Sequence, residues 1–193
     1  MRHAMAETHT FLFCDLVGFT ALTAAEGDDR GAEVATELCE RTRPLLPEHR
    51  AEHVKSIGDA LMLRSDDAAL GMRLGLRIVD ELEQVQGFPP VRVGMHSGPA
   101  VTRNGDWFGT TVNVAARLCA VAGGGQVLAS EATVTAAGGM RGIDIGEPHL
   151  HWLKNVTDPV AARSLAVSER IGRFAAGVAA LERLFAPTAG STA

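Results

Sequence analysis

The chain of 193 residues has no surplus of positive charge and no long apolar run. Its net charge of −5 argues against a nucleic-acid-binding surface and against a polybasic membrane-binding patch. No apolar run approaches the length that spans a bilayer, and the N-terminal sequence MRHAMAETH lacks the pattern of a signal peptide. We therefore expect a cytoplasmic protein with no nucleic-acid and no membrane partner.

Cysteine and lysine are also scarce. The three cysteines, Cys14, Cys39 and Cys119, are odd in number and share no metal-binding spacing, which indicates reduced thiols rather than a disulfide framework. The only lysines are Lys55 and Lys154. Genome composition can explain these totals, but it does not explain why both lysines lie in motif-like positions.

The composition, 46% hydrophobic and 21% charged, fits one globular domain. We assign residues 1–7 to an N-terminal tail, residues 8–166 to the domain and residues 167–193 to a C-terminal extension. Within the extension, apolar side chains recur at helical spacing over 168–186 and predict an amphipathic helix. Such a helix could pack on its own domain, contact a second copy or regulate the domain. The last few residues are predicted to be disordered.

Predicted strands and helices alternate along the domain. A strand is predicted over 8–17, followed by a helix over 29–51 that Pro44 and Pro47 kink or break. The segments HVKSI and ALMLR, joined by Gly-Asp, read as a hairpin. A helix follows through Leu82, with Asp66 or Asp67 as its N-cap.

The second half of the domain continues this alternation. PPVRVGMHSGPAV is predicted to be a strand in which Gly94 and Gly98 indicate close backbone approach or a bend. Thr110 or Thr111 is expected to cap a helix over VNVAARLCAVA. QVLAS is predicted to be a short strand and EATVTAAG a short helix, and the segments GIDIGE, HLHWLKN and VAARSLAV are predicted to complete the sheet. This order indicates an α+β sandwich with its helices on one face of the sheet.

Two aspartates follow strand-like segments at separate places in the chain. Asp15 ends FLFCD, and Asp59 lies in the predicted hairpin turn. Two carboxylates on neighbouring strand ends provide hard oxygen ligands that suit Mg²⁺ or Mn²⁺. Behind Asp15, the turn Gly18-Phe19-Thr20 is predicted to open a helix whose free N–H groups can hold phosphate oxygens. Ordinary turn aspartates remain the alternative for either motif alone.

The segment GDWFGTTVNVAARL holds three further polar side chains. Asp106 precedes Asn113 by seven residues, and Arg117 follows four residues later, so Asn113 and Arg117 share one helix face. Val114, Leu118 and Val121 are expected on the opposite, buried face. An arginine and an amide that project together can stabilise charge on a transferring phosphoryl group, although a solvated helix face would look the same.

Together with FCDLVGFT, VKSIGDALM and RVGMHSG, this segment resembles the catalytic domain of class III nucleotidyl cyclases. The resemblance covers about residues 8–166 in the expected order, and it is strongest to the bacterial adenylyl cyclases with a short arm before the aspartate-containing segment. It implies a cyclase homology domain: an α+β fold with a ferredoxin-like βαββαβ core and extra strands and helices. It also implies a wreath-shaped, head-to-tail homodimer with two shared active sites.

The resemblance assigns roles to matching residues. Asp15 and Asp59 correspond to the metal-binding aspartates, with the Leu16 carbonyl as a further ligand, for two divalent cations (Mg²⁺ or Mn²⁺) at each site. Lys55 and Asp106 correspond to the pair that selects the purine.

Three more residues match positions that act on the ribose and the phosphates. Asn113 corresponds to the residue that orients the ribose, and Arg117 to the arginine that stabilises the transition state. Lys154, in WLKNV, corresponds to the lysine that binds the terminal phosphates.

The implied reaction converts ATP to 3′,5′-cyclic AMP and pyrophosphate by in-line attack of the 3′-hydroxyl on the α-phosphorus. Adenine offers an N6 donor and an N1 acceptor, which fit the accepting Asp106 and the donating Lys55. Guanine reverses both groups, and a site that hydrogen-bonds its substrate can reject a mismatched analogue by about 10⁴ or more. We therefore expect ATP rather than GTP.

Two other interpretations stay open. One is a catalytically silent cyclase-like domain that binds nucleotide or a partner as a regulatory module. The other is a ferredoxin-like nucleic-acid binder, against which the negative charge and the lack of paired surface aromatic residues on a strand both argue.

Overall fold

The computed structural model describes residues 7–168, so the predicted tail helix lies outside the described residues except for Ser168. The strands are β1 Thr8–Leu16, β2 Ala51–Ile57, β3 Ala60–Ser65, β4 Val91–Pro99, β5 Val101–Arg103, β6 Asp106–Phe108, β7 Val127–Ser130, β8 Ile143–Ile145, β9 His149–His151 and β10 Val160–Val167. The helices are α1 Phe19–Glu26, α2 Asp28–Thr42, α3 Ala68–Glu83, α4 Thr110–Val121 and α5 Glu131–Ala137.

One large mixed sheet organises the domain. Its strand order is β2-β3-β1-β4-β7-β10-β8, with β9 also paired to β10, and its one parallel pair among the described strands is β4–β7. The first four positions, β2-β3-β1-β4, are joined through α2 and α3 in the order βαββαβ. This confirms the predicted α+β fold with a ferredoxin-like core.

Both faces of the sheet are covered, since nearly all residues of β1 are buried and successive side chains enter two different core clusters. Leu12 and Cys14 belong to the large core cluster that α2 and α3 complete. Phe11 and Phe13 lie in a second cluster with residues of α4. The expectation that all helices lie on one face is therefore wrong. The two core helices share a face, and α4 covers the opposite one.

Helix α2 is broken at its prolines, as predicted. The helix stops at Thr42, and two 3₁₀ turns, Arg43–Leu45 and Pro47–His49, replace its predicted continuation. The predicted range 29–51 is wrong at its end, since Ala51 already belongs to β2. Proline has no N–H for an intrahelical bond, which explains the early stop.

The helix starts were predicted with mixed success. Asp67 caps α3 by accepting a hydrogen bond from the Leu70 N–H at 3.0 Å, as expected. Neither Thr110 nor Thr111 caps α4, which begins after Gly109. Thr111 is buried, and its hydroxyl instead donates to the Pro99 carbonyl at 2.5 Å.

Candidate active site

Asp15 and Asp59 lie at the same end of neighbouring strands. Asp15 faces Ala60 in the antiparallel β1–β3 register, and Asp59 is the residue before Ala60 in the β2–β3 turn. Gly58 has a left-handed φ of 61°, which this tight turn requires. Burial raises the pKa of Asp59, and the negative charge of Asp15 raises the pKa further. The structure therefore brings the two predicted metal-binding carboxylates together.

An arginine that the sequence analysis did not single out contacts one of these carboxylates. Arg92 faces Asp15 in the β1–β4 register, and its Nε donates to Asp15 Oδ2 at 2.8 Å. Its Nη2 donates to the same oxygen. The residue lies in the motif RVGMHSG, but only the strand register shows that it reaches Asp15.

The glycine turn after β1 takes the predicted form. Gly18 has a left-handed φ of 81° and precedes α1 without a side-chain cap. The first N–H groups of a helix have no intrahelical acceptor, so those of α1 can bind an anion. Gly18 and Thr20 are exposed, whereas Phe19 is half-buried and packs against the large core cluster. Leu16 is buried at the end of β1.

Lys55 and Asp106, which are distant in sequence, form an ion pair. Lys55 Nζ lies 2.5 Å from Asp106 Oδ2, and this hydrogen bond holds the pKa of Asp106 below its usual value. The side chains are 38% and 30% exposed, so a ligand can reach both. Lys55 Nζ also lies 5.9 Å from the centre of the Phe108 ring. A surface depression of about 600 Å³ is lined by Val101, Arg103, Asn104, Asp106 and Phe108.

Asp106 is positioned by a small hairpin, which was not predicted from the sequence. Strands β5 and β6 pair across the turn Asn104-Gly105, both with positive φ. An Asn-Gly turn between two strands is a recognisable hairpin pattern. The neighbouring Trp107 ring packs edge-on against His9 and Phe11, with ring centres 4.6 and 5.6 Å away. These contacts fix the hairpin on β1.

Helix α4 presents Asn113 and Arg117 on one exposed face, as predicted. Val114 and Leu118 are buried on the other side, but Val121 is 48% exposed, so the prediction that it is buried is wrong. The helix lies very close to β4, since a Cβ atom on Gly94 would come within 2.0 Å of the Cys119 nitrogen. The predicted close backbone approach at Gly94 is confirmed.

Lys154 lies in an exposed turn between β9 and β10. Its neighbour Leu153 is buried in a cluster with Val114 and Leu118 of α4. This packing places the Lys154 turn against the same helix that carries Asn113 and Arg117.

The predicted residues thus form separate groups within one chain. In residues 7–168, no hydrogen bond or ion pair joins Asn113 or Arg117 to Asp15 or Asp59. Within the same residues, none of these four side chains has such a contact with the Lys55–Asp106 pair.

The donor set suits a hard divalent cation. In the part of the chain that the structure describes, no group of three or more His, Cys, Asp or Glu residues has an arrangement that could hold a metal ion. Two carboxylates with one backbone carbonyl do not complete a coordination shell. Mg²⁺ commonly accepts such a partial set and takes its other ligands from water and substrate phosphates.

Comparison with known proteins identifies the family. Residues 1–146 match the adenylate and guanylate cyclase catalytic domain, and the chain belongs to this family.

Two bacterial adenylate cyclases are among the proteins that are similar to this chain in sequence. A pH-sensitive adenylate cyclase of Mycobacterium tuberculosis is 41% identical over 132 residues, which cover 67% of this chain and 32% of the relative. An adenylate cyclase of Streptomyces griseus is 37% identical over 110 residues, which cover 57% of this chain and 28% of the relative. The matched segments thus span about a third of these relatives.

Solved structures share the fold. An adenylate cyclase of Trypanosoma brucei in its monomeric state superposes with a TM-score of 0.75 at 22% identity, covering 82% of this chain and 89% of that one. The catalytic core of a rhodopsin-guanylyl cyclase with converted specificity, in complex with ATPαS, superposes with a TM-score of 0.75 at 19% identity, covering 86% and 99%. No helix among residues 7–168 is long and apolar enough to cross a membrane.

Proposed function

We propose that this chain is an adenylyl cyclase catalytic domain that converts ATP to 3′,5′-cyclic AMP and pyrophosphate. Its membership of the cyclase family and its bacterial relatives named adenylate cyclase support the reaction class. The observation that carries the choice of substrate is the ion pair between Lys55 and Asp106. Its exposed acceptor and donor match the N6 and N1 groups of adenine and oppose the corresponding groups of guanine.

Asp15 and Asp59, with the Leu16 carbonyl, would hold two divalent cations, Mg²⁺ or Mn²⁺. When bound, such cations lower the pKa of the attacking hydroxyl and offset charge on the phosphates. Burial first, and then the negative charge of Asp15, raise the pKa of Asp59, and a cation next to both carboxylates would stabilise the ionised form of Asp59.

The other residues act on the nucleotide itself. The N–H groups of the Gly18-Phe19-Thr20 turn hold phosphate oxygens, and Lys154 contributes a positive charge to the terminal phosphates. Asn113 orients the ribose so that the 3′-hydroxyl faces the α-phosphorus. Arg117 donates to the oxygens on which negative charge builds during in-line attack.

The separation of the residue groups supports an active site shared between two chains. Asn113 and Arg117 point to solvent, and within the described residues neither contacts the metal-binding carboxylates. In a head-to-tail homodimer, Asp15 and Asp59 of one subunit would face Lys55, Asp106, Asn113, Arg117 and Lys154 of the other.

A product assay tests the proposed reaction. The purified chain is incubated with ATP or GTP, each with Mg²⁺ or Mn²⁺, and cyclic nucleotide and pyrophosphate are quantified. We expect cyclic AMP from ATP, in proportion to pyrophosphate, and little product from GTP. Asp15→Ala and Asp59→Ala should each lower turnover by about 10²-fold or more while the fold is retained. Nucleotide binding without any product would support the silent binding module instead.

A further inference from the structure

Arg92 joins two parts of the chain through one guanidinium group. Its Nε and Nη2 both donate to Asp15 Oδ2, the former at 2.8 Å. Its Nη1 donates to the Ala120 carbonyl oxygen at 3.0 Å. Asp15 is the second-last residue of β1, and Ala120 lies in the last turn of α4, so Arg92 bridges a proposed metal-binding carboxylate and the end of this helix.

Arg92 supplies a donor to the C-terminal end of α4. The last carbonyls of a helix have no intrahelical donor, and cations there are favourable because of the helix dipole. The last turn of α4 contains no basic residue of its own. Arg92 supplies the missing cation from β4, and its own carbonyl accepts a hydrogen bond from Cys119 Sγ at 3.5 Å.

We propose that Arg92 is a positioning residue that transmits the state of Asp15 to the C-terminal turn of α4. A cation bound at Asp15 competes with Arg92 for the charge of the same carboxylate, so binding changes how firmly the guanidinium holds the Ala120 carbonyl. Helix α4 carries Asn113 and Arg117. This inference rests on the proposed function, in which these two residues serve the neighbouring site of the dimer. Arg92 would then couple the two sites, and such coupling is reciprocal.

The bridge requires the shape of arginine as well as its charge. A guanidinium has a rigid fork of donors that can contact Asp15 and Ala120 at once, whereas a lysine ammonium is a single point charge. Arg92→Lys therefore keeps the charge and removes the bridge, and Arg92→Gln removes both. Arg77→Gln is the matched control, because Arg77 forms exposed ion pairs with Asp80 and Glu81 on α3.

Hydrogen exchange of the full chain, with and without Mn²⁺ and without nucleotide, tests the coupling. In the wild type and in Arg77→Gln, Mn²⁺ should change the exchange rates of the amides of residues 118–122 by about threefold or more. In Arg92→Lys and Arg92→Gln this change should disappear, although Mn²⁺ still binds and still raises the melting temperature. The thermal readout separates loss of coupling from loss of the metal.

Turnover provides a second readout. Both Arg92 variants should lose about tenfold or more in kcat, with KM for ATP within about threefold of the wild type. A merely structural role would instead lower the melting temperature and Mn²⁺ affinity together with kcat.

Three outcomes would overturn the inference: wild-type values of the Mn²⁺ response and kcat in Arg92→Lys, no exchange response in Mn²⁺-bound wild type, or no binding of Mn²⁺ at all. An intact exchange response in a chain that makes no product would refute the proposed function and leave the Arg92 coupling standing.

Discussion

Lys55 Nζ donates to Asp106 Oδ2 at 2.5 Å and so joins β2 to the small β5–β6 hairpin. Asp106 Oδ1 also accepts from the Trp107 N–H at 2.8 Å, which fixes the carboxylate from its other side. The ion pair therefore holds one donor and one acceptor next to each other at the surface before any base binds. Such preorganisation lowers the cost of ordering the site around a ligand.

Replacing both side chains of this ion pair should weaken the use of ATP. In Lys55→Glu with Asp106→Cys, the donor becomes an acceptor and the carboxylate is lost. A hydrogen bond to a charged group contributes about 1.5–3 kcal/mol, so kcat/KM for ATP should fall roughly 10- to 150-fold or more. Steady-state kinetics with ATP and GTP measure the change, and some GTP use can emerge if the pocket shape allows it.

The matched control for this variant makes the same chemical changes elsewhere. Arg77→Glu with Asp80→Cys alters an exposed ion pair on α3 and should leave ATP kinetics unchanged. Unaltered ATP kinetics in the Lys55 and Asp106 variant would remove both residues from the purine pocket.

The raised pKa of Asp59 predicts how pH acts on the metal-free fold. Burial and the charge of Asp15 let this carboxyl keep its proton to a higher pH in the folded chain than in the unfolded chain. The folded state then binds more protons, so its contribution to the free energy of unfolding falls as pH rises above the ordinary aspartate value of 3.8. Asp59→Asn cannot ionise and escapes this loss.

Urea unfolding in EDTA at about pH 4.5 and about pH 7 measures the effect. The stability of Asp59→Asn relative to the wild type should be greater at the higher pH. Mn²⁺ should raise the melting temperature of the wild type but not of Asp59→Asn, because the variant has lost one of the two proposed carboxylate ligands. If the difference in stability between Asp59→Asn and the wild type is the same at both pH values, the folded chain does not raise the pKa of Asp59.

The close contact between β4 and α4 predicts a large effect of one methyl group. In Gly94→Ala the new Cβ would overlap the Cys119 backbone nitrogen, which lies 2.0 Å away. A backbone atom cannot rotate out of the way as a flexible side chain can. We expect a loss of about 3 kcal/mol, or a melting temperature roughly 5–10 °C lower. Gly139→Ala is the control, because nothing lies within 4 Å of its added Cβ. Equal melting temperatures for the two variants would contradict the observed helix position.

The local elements could be predicted from the sequence because their patterns are local. A short apolar run predicts the strand that contains Asp15. Capping residues predict the start of α3 at Asp67, and helical spacing predicts the shared face of Asn113 and Arg117. The Asn104-Gly105 hairpin was also readable but was missed.

Contacts between distant segments could not be derived in this way. Lys55 and Asp106 are 51 residues apart, and only the family resemblance placed them together. The contact between Arg92 and Asp15 depends on the register of β1 against β4, which a run of apolar residues does not reveal. The burial of Thr111, which turns its hydroxyl away from the helix cap, likewise depends on tertiary packing.

Mixing two inactive variants tests whether the active sites are shared. In a head-to-tail dimer of Asp59→Ala with Arg117→Ala, one site contains both substitutions and the other contains neither. Each mixed dimer should therefore regain at most about half of the wild-type rate. At equal concentrations with random exchange of subunits, about half of the dimers are mixed, so activity should approach about a quarter of the wild type.

The control for this experiment pairs two variants of the same half-site. In a mixture of Asp15→Ala with Asp59→Ala, every dimer lacks one metal-binding carboxylate at each site, so no activity should return. The activity of the first mixture should rise with protein concentration, because dilution dissociates the dimers. If subunit exchange is confirmed by mass spectrometry and the first mixture stays inactive at every ratio and concentration, the carboxylates and Arg117 must belong to an active site that is built within a single chain. Helix α4 would then have to move toward Asp15 within one subunit to bring these groups together.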